Sequence, residues 1–141
     1  MAAKAQAQTQ VLLQKQFTVP GPISGQTLQG VNASFTVTQT STITLNLNTN
    51  LLSPTLNFYI LYPDDYAVYR ETGSLAKATP LKNLTQFNAV SYKARGVLND
   101  GTFGIVIQWA QAGVFSTEPN VTVEIDAAKY VPSTPTTVVN P

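Results

Sequence analysis

The sequence contains no cysteine and no histidine. Without cysteine the chain has no disulfide, no thiolate nucleophile and no cysteine-ligated zinc. Without histidine it lacks the commonest general base and the commonest metal ligand. We also find no glycine-rich phosphate loop, no nucleophile elbow and no basic-aromatic signature of nucleic-acid binding. These absences predict that the protein is not an enzyme, with no catalytic residue, no cofactor and no metal site.

Charge is scarce as well, because 11% of the residues are charged and the formal net charge is +1. An average soluble domain has about 25% charged residues. The polar surface comes instead from 19 Thr, 8 Ser, 10 Asn and 11 Gln. So small a net charge predicts no long-range attraction to nucleic acid or to an anionic membrane. It also protects poorly against self-association, which suits a protein that packs against copies of itself.

Long apolar runs are missing too. No stretch of about 18 apolar residues is present, so we expect no membrane span. The first ten residues are followed only by the apolar patch Val11-Leu12-Leu13. A secretory signal needs an apolar stretch of roughly 7–15 residues, so we expect no export signal at this N terminus.

What the sequence has in abundance is apolar residues at every second position. A period of two places one face of a strand on a core and the other face outward. The pattern predicts seven to nine strands in an all-β, two-sheet antiparallel sandwich, jelly-roll-like, with extended N- and C-terminal arms. The predicted inward residues are Phe35, Val37, Ile43, Leu45, Leu47, Phe103, Ile105, Ile107, Trp109, Val121, Val123 and Ile125.

Local signals refine this prediction at three places. The triplet Asn99-Asp100-Gly101 predicts a hairpin that joins strands at 89–98 and 102–109. Pro63-Asp64-Asp65 predicts a turn, followed over 66–70 by a short strand or one helical turn. The segment 55–62 is apolar on both faces, which predicts a central strand or one covered by a partner.

The ends of the chain differ from its centre in composition. Residues 1–16 are rich in Ala and Gln, and Pro20-Gly21-Pro22 follows them. The C-terminal tail has three prolines, which favour an extended chain. We therefore predict an N-terminal arm at 1–22, the β-sandwich domain at 23–131 and an extended tail at 132–141.

Three groups of residues are candidates for a site. Asn32, Asn83 and Asn120 begin Asn-x-Ser/Thr sequons, although a chain this rich in Ser and Thr produces about two sequons by chance. Tyr62, Tyr66 and Tyr69 surround the Pro63 turn and could form an aromatic platform for a sugar or an interface. Asp64 with Asp65 and Glu124 with Asp126 are paired carboxylates, which could act as acid and base or bind calcium. For these carboxylates we favour a turn cap and a solvated strand face instead.

The stretch 33–126 contains the residues Phe35, Val37, Ile43, Leu45, Asn57, Tyr59, Ile60, Leu61 and Pro63. Through these residues the stretch resembles pre-peptidase C-terminal and Golgi-dynamics domains. The resemblance implies a secreted type of β-sandwich at the level of fold. Those families have an acidic residue where this chain has Asn57, so a metal role is not carried over.

The composition also resembles that of structural proteins of phages and archaeal viruses, many of which are single jelly rolls with extended arms. Our preferred hypothesis is therefore a structural subunit of an extracellular assembly: a virion capsid, vertex or decoration protein, located in the virion. It would act by self-association with copies of itself and with other structural proteins. The alternative is a carbohydrate-binding or adhesion module of a secreted or cell-surface protein, including a filament subunit, with glycan contact at Tyr62, Tyr66 and Tyr69. A hydrolase using Asp64 or Asp65 is a distant third.

Overall fold

The computed structural model describes residues 9–19, 30–49, 56–110 and 120–131. Within these ranges the chain forms strands and one helix. The elements are β1 (Gln10–Thr18), β2 (Gly30–Val37), β3 (Ser41–Thr49), β4 (Leu56–Leu61), α1 (Pro63–Thr72), β5 (Gln86–Ala89), β6 (Tyr92–Leu98), β7 (Gly101–Trp109) and β8 (Asn120–Lys129).

The strands form two four-stranded antiparallel sheets. Sheet I has the order β1-β8-β3-β6, and sheet II has the order β2-β7-β4-β5. The first strand thus pairs with the eighth, the second with the seventh, the third with the sixth and the fourth with the fifth. A long hairpin folded over on itself produces this order, which is the jelly-roll arrangement. The predicted fold class, an all-β two-sheet sandwich, is confirmed.

The core lies between the sheets and consists of the residues that alternate inward. All twelve residues predicted to face inward are at most 3% exposed. Each fully buried aliphatic or aromatic side chain of this kind contributes about 1.5–3 kcal/mol to folding. Alternation of Thr, Ser and Asn with these residues leaves the opposite faces of β2 and β3 polar, as the sequence predicts.

The predicted hairpin at Asn99-Asp100-Gly101 is wrong. β6 pairs with β3 in sheet I, whereas β7 pairs with β2 and β4 in sheet II, so this turn crosses from one sheet to the other. A second crossing turn, between β2 and β3, lies beside it, and Thr40 Oγ1 donates to Asn99 Oδ1 at 3.1 Å. Asn99-Asp100-Gly101 has the same local turn signal whether it forms a hairpin or crosses between sheets. Only the long-range pairing of β6 with β3 and of β7 with β2 shows that this turn is a crossing.

The predicted N-terminal arm at 1–22 does not describe residues 10–18. These residues form β1, an edge strand that pairs with β8 from Gln10 to Thr18. A register shift between Val11 and Leu13 breaks the alternation, which explains why the two-residue pattern does not reveal this strand. Residues 1–8 and 20–22 of the predicted arm, and the tail at 132–141, lie outside the described residues.

The turn at Pro63 opens a helix longer than the predicted single turn. Pro63 lies at the start of α1, where its missing N–H costs no hydrogen bond, and Asp64 and Asp65 lie in the first turn, where the helix dipole favours negative charge. Gly73 ends the helix in the left-handed conformation with φ of 70°, and its N–H donates to Tyr69 O at 2.7 Å. Among the described residues, no helix is long and apolar enough to cross a membrane.

Candidate association surface

The outer faces of the two sheets differ in what covers them. Helix α1 packs on β4 and β7, both of which belong to sheet II. It covers the outward side chains of Leu61 and Val106, which are fully buried. This explains why β4, which lies within the predicted segment 55–62, has apolar residues on both faces: Leu56, Phe58 and Ile60 lie in the core, and Leu61 lies under the helix. In the described part of the chain, sheet I has no such cover.

Tyr66 and Tyr69 are the side chains by which α1 packs on sheet II, and they are 6% and 8% exposed. Tyr66 Oη donates to Asn32 Oδ1 of β2 at 2.8 Å. Burial raises the pKa of Tyr69, and hydrogen bonds with Asn32 and Gln108 oppose that shift. Burial also raises the pKa of Tyr66, opposed by the charge of Arg70. The hydroxyls of Tyr66 and Tyr69, with Asn32 and Gln108, therefore form a group of polar contacts between α1 and sheet II, which we call the polar seam.

The structure separates the three candidate tyrosines. Tyr66 and Tyr69 have their rings against the sheet, so they offer no ring face for stacking on a sugar. Tyr62 is 50% exposed and lies beside Phe103, with ring centroids 6.3 Å apart. The predicted aromatic platform is thus reduced to Tyr62.

Tyr62 lies at the margin of a groove of about 660 Å³. The groove runs between β6 and the loop that leads to β5, and Pro80, Val97 and Asp100 also line it. Leu81 and Leu84 of the same loop insert into the core, and Leu81 N–H donates to Ile60 O at 2.9 Å. The loop therefore closes this side of the sandwich. The groove lies on the outer side of the loop, between the loop and β6.

The sequon asparagines lie in three different settings. Asn32 accepts the Tyr66 hydroxyl bond in the seam. Asn120 begins β8 and accepts a hydrogen bond from Thr18 Oγ1 at 2.8 Å. Asn83 is exposed in the loop before β5. Asn32 is exposed as well, although its side chain is engaged by Tyr66, so glycosylation at these sequons stays a prediction.

Asp64 and Asp65 have structural roles at the start of α1. Both stand in the first turn of α1, and Asp65 Oδ2 accepts a hydrogen bond from Thr79 N–H at 3.0 Å. Among the described residues, no three His, Cys, Asp or Glu side chains gather in a way that could hold a metal ion.

Rows of outward side chains cross sheet I from β8 through β3 to β6. Thr44 of β3 pairs with Asp126 on one side and with Arg95 on the other. Asn46 pairs in the same way with Glu124 and Lys93. Residues directly opposite on neighbouring strands point to the same face, so each row carries an acid, a neutral residue and a base.

The two acids, Glu124 and Asp126, form what we call the carboxylate pair, and Lys93 with Arg95 form the basic pair. Neighbouring strands lie about 4.8 Å apart, so β3 separates the two pairs by about 10 Å. Within the described ranges, no ion pair joins them. The outer face of sheet I therefore carries an acidic strip on β8, formed by the carboxylate pair, and a basic strip on β6, formed by the basic pair, with β3 between them.

The two carboxylates of the carboxylate pair repel each other. The charge of Asp126, with smaller effects of burial and a shared hydrogen bond, raises the pKa of Glu124 from its ordinary value of 4.5. Gln14 Nε2 of β1 donates to Glu124 Oε1 at 3.4 Å. In the described part of the chain, Asp126 Oδ1 is buried without a hydrogen-bond partner. A cation brought to this face would relieve the repulsion.

The sequence predictions include the carboxylate pair as a solvated strand face but miss the basic pair. Lys93 and Arg95 are two residues apart on one strand, a spacing that places both on one face. That signal is present in the sequence. Their alignment with Glu124 and Asp126 depends on the register of three strands, which no local pattern reveals.

The comparisons with known proteins support the fold alone. The chain is similar to the crystal structure of the pre-peptidase C-terminal domain of a collagenase from Bacillus anthracis, with 10% sequence identity and a TM-score of 0.51. The similarity covers 82% of this chain and 89% of that domain. No protein-family model matches the sequence. No curated protein matches it either. The fold-level part of the predicted resemblance is thus supported, and the resemblance to virion proteins is not shown.

Proposed function

We propose that this chain is a non-enzymatic structural subunit of an extracellular assembly and that it acts by associating with copies of itself and with other structural proteins. The observation that carries the proposal is the contrast between the two outer sheet faces. Helix α1 covers β4 and β7 of sheet II, whereas the outer face of sheet I presents ordered strips of opposite charge and, in the described part of the chain, has no covering helix. A sheet face that no described element covers and that carries ordered charges is a surface suited to a partner.

The kind of assembly we propose is a virion, with the chain as a capsid, vertex or decoration protein. Two features support it. The jelly-roll strand order is one that viral capsid domains use. The low charge and the abundance of Thr, Asn and Gln suit a surface that is buried against neighbours.

The proposal ranks association above glycan binding because of the tyrosines. Ring-face stacking on a sugar needs exposed aromatic faces, and Tyr66 and Tyr69 are buried. Tyr62 at the groove is the residue left for that role. A glycan array on which the chain binds a sugar, and loses that binding in Tyr62→Ala, would reverse the ranking.

The proposal is tested by light scattering coupled to size-exclusion chromatography over a wide range of protein concentrations, with electron microscopy of the concentrated sample. We expect the weight-average mass to rise above 15.2 kDa as the concentration increases. A single monomeric species up to the limit of solubility would overturn the proposal.

A further inference from the structure

We infer that the outer face of sheet I is the contact surface of a two-fold symmetric homodimer, in which the carboxylate pair of each copy faces the basic pair of the other. The inference rests on the proposed function and names the partner at this surface: a second copy of the chain. It follows from the order of the strips and from the register that aligns them.

The order of the strips makes the face complementary to itself. β3 lies between β8 and β6, so a two-fold axis running along β3 between two facing copies exchanges β8 and β6. Rotation about that axis leaves the position along the strands unchanged. Asp126 and Arg95 share one row, because both pair with Thr44, so each faces the other across the interface. Glu124 and Lys93 share the next row through Asn46 and meet in the same way.

Residues outside the charged rows fit the same arrangement. Thr42 pairs with Ala128 and with Val97, so Val97 of one copy faces Ala128 of the other. Val97 is 48% exposed, and this contact would cover it. On the axis itself, Thr44 and Asn46 meet their own copies, and each can both donate and accept a hydrogen bond.

The competing symmetric arrangement is disfavoured by charge. A two-fold axis perpendicular to the strands would place β8 over β8 and β6 over β6. Carboxylates would then face carboxylates, and Lys93 and Arg95 would face each other. Like charges in such positions repel one another and disfavour the arrangement. The strip pattern thus selects one orientation and rejects the other.

Distance and size are consistent with a reversible contact. Face-packed sheets lie about 10 Å apart, which a long Arg or Lys side chain bridges to a shorter Asp or Glu. The two charged rows are neighbours, so a dimer whose sheets cross between these rows displaces their side chains least through the roughly 30° rotation between packed sheets. Three facing strands form a patch at the small end for specific interfaces, so the dimer forms at high concentration and weakens with salt.

Charge-reversal variants test the inference. K93E/R95E and E124K/D126K each convert the face to a single sign, so each variant alone should lose dimerisation by at least tenfold in sedimentation velocity. Mixed in equal amounts, the two should form a heterodimer, and the fourfold variant that carries all these changes should dimerise by itself. K77E/K82E, with the same charge change on exposed loop residues, is the matched control and should dimerise like the unmodified chain.

The position of the axis gives an independent measurement. The chain has no cysteine, so Thr44→Cys introduces its only thiol. A short bis-maleimide should cross-link Thr44→Cys into dimers, whereas Thr36→Cys, exposed on the outer face of sheet II, should stay monomeric. Circular dichroism of each variant checks that the sandwich is folded.

The possible failures are distinct. A chain that associates normally while both charge-reversal variants behave like the control, or that cross-links equally at 36 and 44, overturns this inference and leaves the proposed function standing. A chain that is monomeric at every concentration overturns both.

Discussion

The ring of Tyr66 lies directly over Gly104, so closely that a Cβ at position 104 would overlap ring atoms Cδ1 and Cγ. This relationship attaches α1 to sheet II. Gly104→Ala should therefore displace the helix and cost about 1–3 kcal/mol in the free energy of unfolding, as overpacking of a tight contact does. The entropic gain from replacing glycine, about 0.4–1 kcal/mol, is smaller. Urea denaturation measures the difference.

The control for this prediction is a double-mutant cycle. In a Tyr66→Ala background the space over position 104 is empty, so the same Gly104→Ala change should cost much less. An equal cost in both backgrounds would contradict the packing described for Tyr66.

Two of the sequon asparagines form a matched pair for a second prediction. Asn32→Ala removes the acceptor of the 2.8 Å bond from Tyr66 Oη and should cost about 1 kcal/mol in urea denaturation. Asn83→Ala changes an exposed loop residue and should stay within about 0.5 kcal/mol of the unmodified chain. Equal effects of the two substitutions would argue against the polar seam.

Tyr92 should make stability fall at alkaline pH. Its hydroxyl donates to Leu84 O at 2.8 Å, and burial raises its pKa well above the ordinary value of 10.0. The unfolded chain therefore loses this proton before the folded chain does, so the contribution of Tyr92 is complete below about pH 10 and declines above it. Tyr92→Phe should cost about 1 kcal/mol near neutral pH through the lost hydrogen bond.

The difference in the free energy of unfolding between Tyr92→Phe and the unmodified chain should shrink as the pH rises above about 10. The reason is that the unmodified chain loses stability when unfolded Tyr92 loses its proton, whereas phenylalanine has no proton to lose. Urea denaturation at a series of pH values measures it, with Tyr62→Phe at a half-exposed residue as the control. A deficit that stays constant with pH would show that the Tyr92 hydroxyl is not shielded from water.

The alternation of apolar residues predicts which side chains face the core, because inward and outward positions depend only on the period of the strand. It does not predict which strands pair. Asn99-Asp100-Gly101 has the sequence of a hairpin turn, yet Leu98 pairs with Ser41 and Gly101 pairs with Val37, on opposite sheets. Such pairings depend on the packing of the whole sandwich.

The candidate surface was only partly predictable for the same reason. The spacing of Glu124 and Asp126 places them on one outward face, and the sequence contains that information. The tyrosines around Pro63 were predicted as an exposed group, because the length of α1 and its position over Gly104 arise from tertiary packing. The alignment of Asp126 with Arg95 arises from the register of β3 with both neighbours.

Glu124→Gln should change stability and association in opposite directions. Asp126 raises the pKa of Glu124, so above that pKa the charged side chain destabilises the folded monomer. The groups facing it are Asp126 on β8, Gln14 on β1, and Asn46 with Lys93 beyond it. The glutamine variant should be more stable than the unmodified chain at neutral pH, and the difference should vanish as the pH falls below the ordinary glutamate value.

Dimerisation of the same variant should be weaker, because one partner of Lys93 has lost its charge. Urea denaturation at low protein concentration measures the first effect, and light scattering at high concentration measures the second. A variant that is less stable and associates as before would contradict both parts.

Sedimentation velocity of the unmodified chain as a function of salt tests the central claim most directly. If the charged strips of sheet I hold two copies together, a dimer should be present at low ionic strength and should dissociate into monomers as added salt screens the charges. A monomer at every ionic strength, or an oligomer that salt strengthens, would contradict association through this face.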